Sequence, residues 1–331
     1  MYRDLFIYND EKIHKLRLDN TSIVSQNIPH HKKEFIVKKN NLHVCLICEQ
    51  KQVKQFKYKN YNYFSCPQCG HFTTYPYPSQ DVMKKYYQKK FKKGNYQLAR
   101  KYAEEYKVVY RQFVRLLERA LKEDNKSIRG KKVLDIGCFT GDFLVLMEEA
   151  GADVHGLELQ DDAVDIANKK LPDRVKAADV MSDAFPKVHF DIITLLGIIE
   201  HVTDPMKLIK RSTELLKKGG TLMIQTPNSN SVLSRLTKQF WPPFAPVEHI
   251  HLFSKTSLTK ALIQYGYTNI TYVTHVKKLP LGYLYNQFEN FGPEFHRFLR
   301  PFESIILMFS KISLPFYGGE MVMIAKKTKT K

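Results

Sequence analysis

Long apolar runs are missing from this chain. The densest, Ile305 to Phe309, is far shorter than the roughly 18 residues a membrane span requires. The N-terminus, MYRDLFIYNDEK, carries Asp4 and Asp10 and leads into no apolar segment. A secretory leader is therefore not expected, and a cytoplasmic protein is. Cysteine is scarce at five residues, and tryptophan occurs once, at position 241. Acidic residues are outnumbered, 33 Asp and Glu against 52 Lys and Arg, for a net charge of +19. Core-forming material is not lacking. An apolar fraction of 43% over 331 residues supplies one large core plus a small accessory module and excludes bulk disorder.

The positive charge is uneven. Lys131 to Asn228 holds 12 basic and 16 acidic residues, a balance of −4, so the remainder carries 40 against 17, or +23. The densest patch, Lys84 to Lys101, has eight basic residues and no acidic one. Such a patch suits phosphates, nucleic acid or anionic lipid, and equally a solvated helix face in a lysine-rich protein.

Four of the five cysteines form two knuckles, Cys45-Leu-Ile-Cys48 and Cys66-Pro-Gln-Cys69, separated by 17 residues. This spacing matches a tetrathiolate zinc site, and a reducing compartment disfavours two disulfides. Four sulfurs leave no position for water, so the expected site is structural. The segment between the knuckles alternates apolar and polar residues as a hairpin does. A module of about 35 residues needs a metal to fold. Pro76 and Pro78 then break the chain, and Ser79 is a candidate helix cap. Asp81 to about Asp124 reads as two helical segments split near Lys93-Gly94-Asn95, with Val109, Phe113, Leu116, Leu117 and Leu121 at helical spacing.

The segment KVLDIGCFTGDF (Lys132 to Phe143) is a buried strand running into a glycine turn that opens a helix. Backbone amides at such a turn face a ligand. The turn is G-x-x-x-G and lacks the G-x-G-x-x-G of a pyrophosphate clamp. A second strand ends at Glu158, 21 residues after Gly137, where an acid accepts from ribose hydroxyls. A third ends at Asp179, placed to accept from an adenine amine. Phe190 to Leu196 is a fourth strand. A helix end at Lys217-Lys218 and a turn at Gly219-Gly220 lead to a fifth, ending at Thr226. Thr268 to Val273 and Met321 to Ala325 are the last two. Alternation at this rhythm means a parallel, doubly wound α/β sheet.

VLDIGCFTGDF, GLEL, AADV, FDIITLLGIIEHVTDP and LLKKGGTLMIQTPN, in this order and spacing, resemble the motifs of class I S-adenosylmethionine-dependent methyltransferases. The subfamily with E-H-V-x-D-P after strand four, followed later by a segment like VEHIHLFS, is the most similar. The tetracysteine module, P-x-P and Tyr-rich helix also look like the N-terminal part of some of its members. The likeness covers about 42–266 plus the final strand. It implies a Rossmann-like seven-stranded sheet with an N-terminal zinc ribbon and helical linker. Its divisions are an extension at 1–40, the ribbon at 41–78, the linker at 79–128 and the methyltransferase domain at 129–331, interrupted by a helical insertion about 279–316. It further implies that Asp135, Gly137, Cys138 and Gly141 line the methionine end of S-adenosylmethionine. Glu158 holds the ribose with Leu159 beside it, Asp179 and the Val180 backbone hold the adenine, and Leu196 and Gly197 floor the methyl group. Gln160 departs from the more usual Ser or Asp.

Methyl transfer from a sulfonium needs an aligned acceptor, and an alcohol acceptor also needs a base. His201, His249 and His251 are the candidates, with Glu248 and Glu200 as orienting partners. If HIHLF is extended, His249 and His251 share one face and wall the acceptor pocket. A metal on Glu-His-x-His is the less favoured alternative, and packing is the plain one. The chain lacks the N/D-P-P-Y of base-amine methylation and the Pro-Cys of cytosine methylation. The expected activity is O-methylation of a small-molecule or saccharide acceptor, lipid-linked acceptors included. The alternatives are an RNA methyltransferase gripping phosphates through ribbon and basic patch, and an inactive binding or scaffold protein. The aromatic-rich insertion reads as helices capping the substrate side or a dimer contact, or more sharply as a lid in peripheral contact with a membrane.

Overall fold

The computed structural model describes residues 44–58, 60–76, 83, 86, 103–122, 126–245, 248–285, 296–297 and 299–328. The expected 1–40 extension, the basic patch apart from Tyr86, and the helix break at Gly94 lie outside them.

The two cysteine knuckles bracket a hairpin of β1 (Val53–Tyr58) and β2 (Tyr61–Ser65), and β3 (Phe72–Tyr75) pairs with β2. The knuckles have the same backbone design. Glu49 N–H donates to Cys45 O and Gly70 N–H to Cys66 O, both at 2.8 Å. Cys45 N–H likewise donates to Gln50 O and Cys66 N–H to His71 O. Each turn puts the residue after its second cysteine in the left-handed region, Glu49 at φ 58° and Gly70 at φ 72°. At Gly70 the absence of a side chain also admits Ser254, whose Cβ would lie 3.1 Å from an added methyl.

Helix α1 (Ala103–Lys122) buries Val109, Phe113, Leu117 and Leu121, one stripe at four-residue spacing. Leu116, expected with them, is only half-buried at the edge of the stripe. The main domain alternates β4 (Lys132–Ile136), α2 (Asp142–Glu149), β5 (Asp153–Glu158), α3 (Asp161–Lys170), β6 (Val175–Ala177), β7 (Phe190–Leu196), α4 (Pro205–Leu215) and β8 (Leu216–Pro227). Then come α5 (Val232–Thr237), the short β9 (His251–Leu252), α6 (Lys255–Gln264), β10 (Tyr267–Pro280), α7 (Glu303–Met308) and β11 (Ser313–Lys327). The seven-stranded order is β10-β11-β8-β7-β4-β5-β6. β4 through β8 are parallel, and β11 runs antiparallel between β8 and β10. The doubly wound α/β expectation is met. Strands β4 and β7 are buried on both faces, which explains their unbroken apolar runs. Strand order reverses between β4 and β7, and the crevice at the carboxyl end of that switch is where such sheets bind ligands.

Two local expectations are corrected. The helix ends at Leu215, not Lys217-Lys218. Leu216 already pairs with Phe190, and pairing resumes at Thr221 opposite Ile192, so the residues between them bulge out. The last two strands are also much longer than their apolar cores. They continue as a hairpin from Lys277↔Phe316 to Pro280↔Ser313, into the span expected to be a helical insertion. Continuous burial on β11 covers only Gly319 to Ala325, so the apolar signal stops short of the strand ends.

The ribbon and main domain share structure. β9 joins the ribbon as its fourth strand, with Phe72 opposite Leu252 and Thr73 opposite His251. Trp241, Tyr63, Phe244 and Leu252 form one buried cluster across the junction. Ser229 Oγ donates to Gly70 O and Gln264 Nε2 to Ile47 O, each at 2.8 Å, and Ser254 Oγ donates to Cys69 O.

Candidate functional site

β4 ends at Ile136, and the loop to α2 turns through left-handed Gly137 (φ 72°), Phe139 (φ 52°) and Gly141 (φ 74°). A side chain at either glycine would be strained, so the loop stays low against the sheet edge. Gly137 N–H and Cys138 N–H both donate to Leu157 O on β5. Glu158, at the tip of β5, draws the pieces together. Its Oε2 accepts from Phe139 N–H at 3.0 Å, and its Oε1 from Leu159 N–H at 2.7 Å and Gln160 N–H at 3.0 Å. Burial pushes its carboxyl above the usual carboxylate value, opposed by those amides. A buried acid at a strand tip beside a glycine loop fits a ribose-bearing ligand.

Asp135 lies buried one strand away and accepts from Thr194 Oγ on β7 at 2.6 Å. Leu196 is buried at the tip of β7, and Gly197 N–H donates to Gln225 O. Asp179 is exposed two residues beyond β6, accepting from Met181 N–H. Arg211 holds the Val180 carbonyl at 3.1 Å. Leu159 is exposed beside Glu158. Cys138 is buried, and burial pushes its thiol well above the usual value, so it is not poised as a nucleophile.

Past β7 a second cluster forms. His201 Nδ1 lies 2.8 Å from Glu248 O, and His249 Nδ1 lies 2.6 Å from Pro243 O. Carbonyls only accept, so in each neutral ring Nδ1 carries the proton and Nε2 the lone pair. The two rings sit 4.7 Å apart. His201 Nε2 is 3.8 Å from Glu200 Oε1, while Glu200 Oε2 accepts from Thr226 Oγ at 3.0 Å. Glu200, His201 and His249 are all buried, with one ligand-type atom of each within 4.8 Å of the others. Glu248 Oε1 accepts from Tyr86 at 2.6 Å, bringing in a residue from before α1.

The expected common face of His249 and His251 is not formed. Ile250 N–H and His251 N–H both donate to Glu200 O. In an extended strand successive amides point oppositely, so two on one carbonyl require a bend. That bend sends His249 to His201, and His251 to the ribbon. The His251 ring stacks on His71 at 5.2 Å and 14°. Its Nε2 reaches Thr203 O at 3.4 Å, and burial drives its pKa down to about 3.

The four ribbon cysteines also converge. Cys45 Sγ and Cys69 Sγ are 3.5 Å apart, as are Cys48 Sγ and Cys66 Sγ, and all four sulfurs lie within 4.8 Å. Sulfurs each about 2.3 Å from a tetrahedral zinc ion lie at such mutual distances, so the donor set fits one.

A further buried network carries no local sequence signal. Glu320 accepts from Lys277 Nζ at 2.6 Å and from Gln225 Nε2 at 2.9 Å, and meets His275 Nδ1 at 3.1 Å. Gln112 of α1 meets the other His275 nitrogen at 3.3 Å. These residues are far apart in sequence, and only the β10–β11–β8 register aligns them. Glu320 is buried, yet Lys277 and His275 hold its carboxyl far below the usual range. A carboxylate depressed in the fold contributes stability above its unfolded pKa of about 4.3, and that contribution is lost as pH falls below it. Glu320→Gln is expected to cost about 3 kcal/mol at neutral pH. It should also remove one proton's worth of acid sensitivity, about 1.4 kcal/mol per pH unit below that value. Denaturant titrations across the acid range check both.

Residues 100–272 match the family described as "Methyltransferase domain". The chain belongs to this family. Among curated relatives, the ubiquinone biosynthesis O-methyltransferase of Thiobacillus denitrificans is 34% identical over 110 residues, covering 31% of this chain and 47% of that protein. The enzyme of the same name from Coxiella burnetii is 33% identical over 113 residues, 33% of this chain and 48% of the relative. The chain thus spans about half the length of the curated relatives it matches. The solved structure of YcgJ from Bacillus subtilis overlaps with a TM-score of 0.46 at 16% identity, covering 66% of this chain and 98% of that one.

Proposed function

We propose that the protein is an S-adenosylmethionine-dependent methyltransferase acting on oxygen of a small-molecule or saccharide acceptor. The observation carrying this reading is the joint geometry of the Gly137 loop and buried Glu158 beside the β4/β7 switch point, in a chain of the methyltransferase family. The relatives' name as O-methyltransferases supports the choice of atom. When bound, the sulfonium supplies an electrophilic methyl group. Glu158 would hold the ribose with Leu159 beside it, Asp179 and the Val180 backbone the adenine, and Asp135, Gly137, Cys138 and Gly141 the amino-acid end. Leu196 and Gly197 would form the floor. The four-sulfur centre of Cys45, Cys48, Cys66 and Cys69 is proposed to hold structural zinc.

On the acceptor side His201 is the proposed base. Its Nδ1–H is committed to the Glu248 carbonyl, so Nε2 takes the hydroxyl proton, and Glu200 stabilises the resulting imidazolium. His249 braces that ring, and Glu248 fixes its tautomer through the backbone. His251 serves the ribbon junction. Replacement of His201 by Gln should lower turnover about 100-fold or more with little change in cofactor affinity. His251→Gln should lower thermal stability more than turnover. Equal turnover in His201→Gln and the parent chain would refute the assignment.

The Nδ1 orientation of both rings favours a second reading, in which Glu200, His201 and His249 bind a divalent cation. Metal ligation by histidine commonly pairs Nε2 on the ion with Nδ1–H on a carbonyl. Metal analysis separates the readings: the cation reading requires two ions per chain and loss of one in His249→Gln.

A further inference from the structure

β8 ends at Pro227, which pairs with Glu320. Beyond that pair Gly319 O still accepts from Asn228 N–H, and from Phe316 to Ser313 the strand that pairs with β11 is β10. The hairpin therefore overhangs the carboxyl edge of the parallel strands, the edge that carries the Gly137 loop and His201. The segment packed beside it is apolar but contributes nothing to the core. Neither α7 nor the turn before it, Arg300–Phe302, has a buried residue. Met308 is 76% exposed, Ile305 56%, Ile312 52% and Phe309 48%. Single exposed apolar residues are ordinary, but a run of them on one short segment marks an interaction surface.

Charge selects the partner. Arg300, Lys311 and Lys278 are exposed around these side chains, and Glu303 is the one acid among the described residues from Arg300 to Leu314. A second copy related by a two-fold axis would bring the same cations together. An anionic bilayer takes apolar tips below its headgroups and pairs the cations at its surface. We propose that the Arg300–Leu314 segment and the β10–β11 overhang form a peripheral docking surface for anionic lipid bilayers. The surface presents the acceptor edge to amphiphilic acceptors lying in the membrane; that last clause rests on the methyltransferase reading, whereas the docking itself does not.

Vesicle co-sedimentation of the full chain tests the proposal, using phosphatidylglycerol–phosphatidylcholine vesicles beside pure phosphatidylcholine. Binding should be at least about tenfold stronger to the anionic vesicles at low salt and should weaken as salt rises. Ile305→Ser with Met308→Ser should reduce it about tenfold or more, and Arg300→Glu with Lys311→Glu should abolish the anionic preference. All four residues are exposed, and unchanged melting temperatures would show that the fold is intact. Absence of vesicle binding in the parent chain overturns the proposal. So does equal binding by the Ile305/Met308 variant, or a parent dimer that this variant dissociates. Cofactor affinity, measured on the same samples, reports separately on the methyltransferase reading.

Discussion

Replacing Cys66 with Ser is expected to disorganise the His201–His249 cluster as well as the ribbon. Structural zinc contributes on the order of 10 kcal/mol of apparent folding energy in modules of this size, and a module this small buries too little core to be stable alone. The ribbon is also stitched to the segment that carries the histidines. Thr74 N–H donates to Ile250 O at 2.9 Å, and Thr74 Oγ to His249 O at 3.1 Å. Those two carbonyls flank the bend that directs His249 towards His201. Once β3 is lost, β9 has no partner strand and the bend loses its outer wall. Cys66→Ser should therefore bind no ribbon metal, melt in a lower or additional transition, and lose turnover by about 100-fold or more. Cofactor binding should survive, because the Gly137 loop and Glu158 receive no ribbon contact among the described hydrogen bonds. Metal analysis with paired turnover and cofactor titrations checks this. Full turnover in a metal-free variant would show that the ribbon does not support the wall.

The second large effect is expected at Glu158. Its carboxylate organises three amides from two loops, and in the proposed complex it would accept from both ribose hydroxyls. A hydrogen bond to a charged group is worth about 1.5–3 kcal/mol, so Glu158→Ala should weaken cofactor binding about 100-fold or more. Glu158→Gln should not restore it. One amide oxygen can serve Leu159 and Gln160, but the NH2 then meets Phe139 N–H donor to donor. Equilibrium dialysis with labelled cofactor compares the variants with the parent chain. Affinity within about threefold for both would remove Glu158 from the cofactor site.

The parallel sheet was legible because its signals are local. Apolar runs ending in glycine mark β4, and acids at regular intervals mark the tip of β5 and the turn just past β6. The cysteine knuckles were legible for the same reason, since each closes within a few residues. The acceptor side was legible only in part. His201, His249 and Glu248 could be named from one-dimensional motifs, but their pairing depends on Glu200 O receiving two consecutive amides. That bend separates His249 from His251, where alternation alone puts them together. Glu320, His275, Lys277 and Gln225 meet across three strands and carry no local mark. The fusion of ribbon and main domain was likewise hidden, because β9 is a two-residue strand whose partner lies almost 180 residues earlier.

The proposed function stands or falls with the Gly137 loop and Glu158 forming a working S-adenosylmethionine site. Calorimetric titration of the full chain with S-adenosylmethionine tests it most directly. Saturable one-to-one binding with a Kd on the order of micromolar is expected. No binding heat at high micromolar cofactor, from chains whose melting is cooperative, would contradict it.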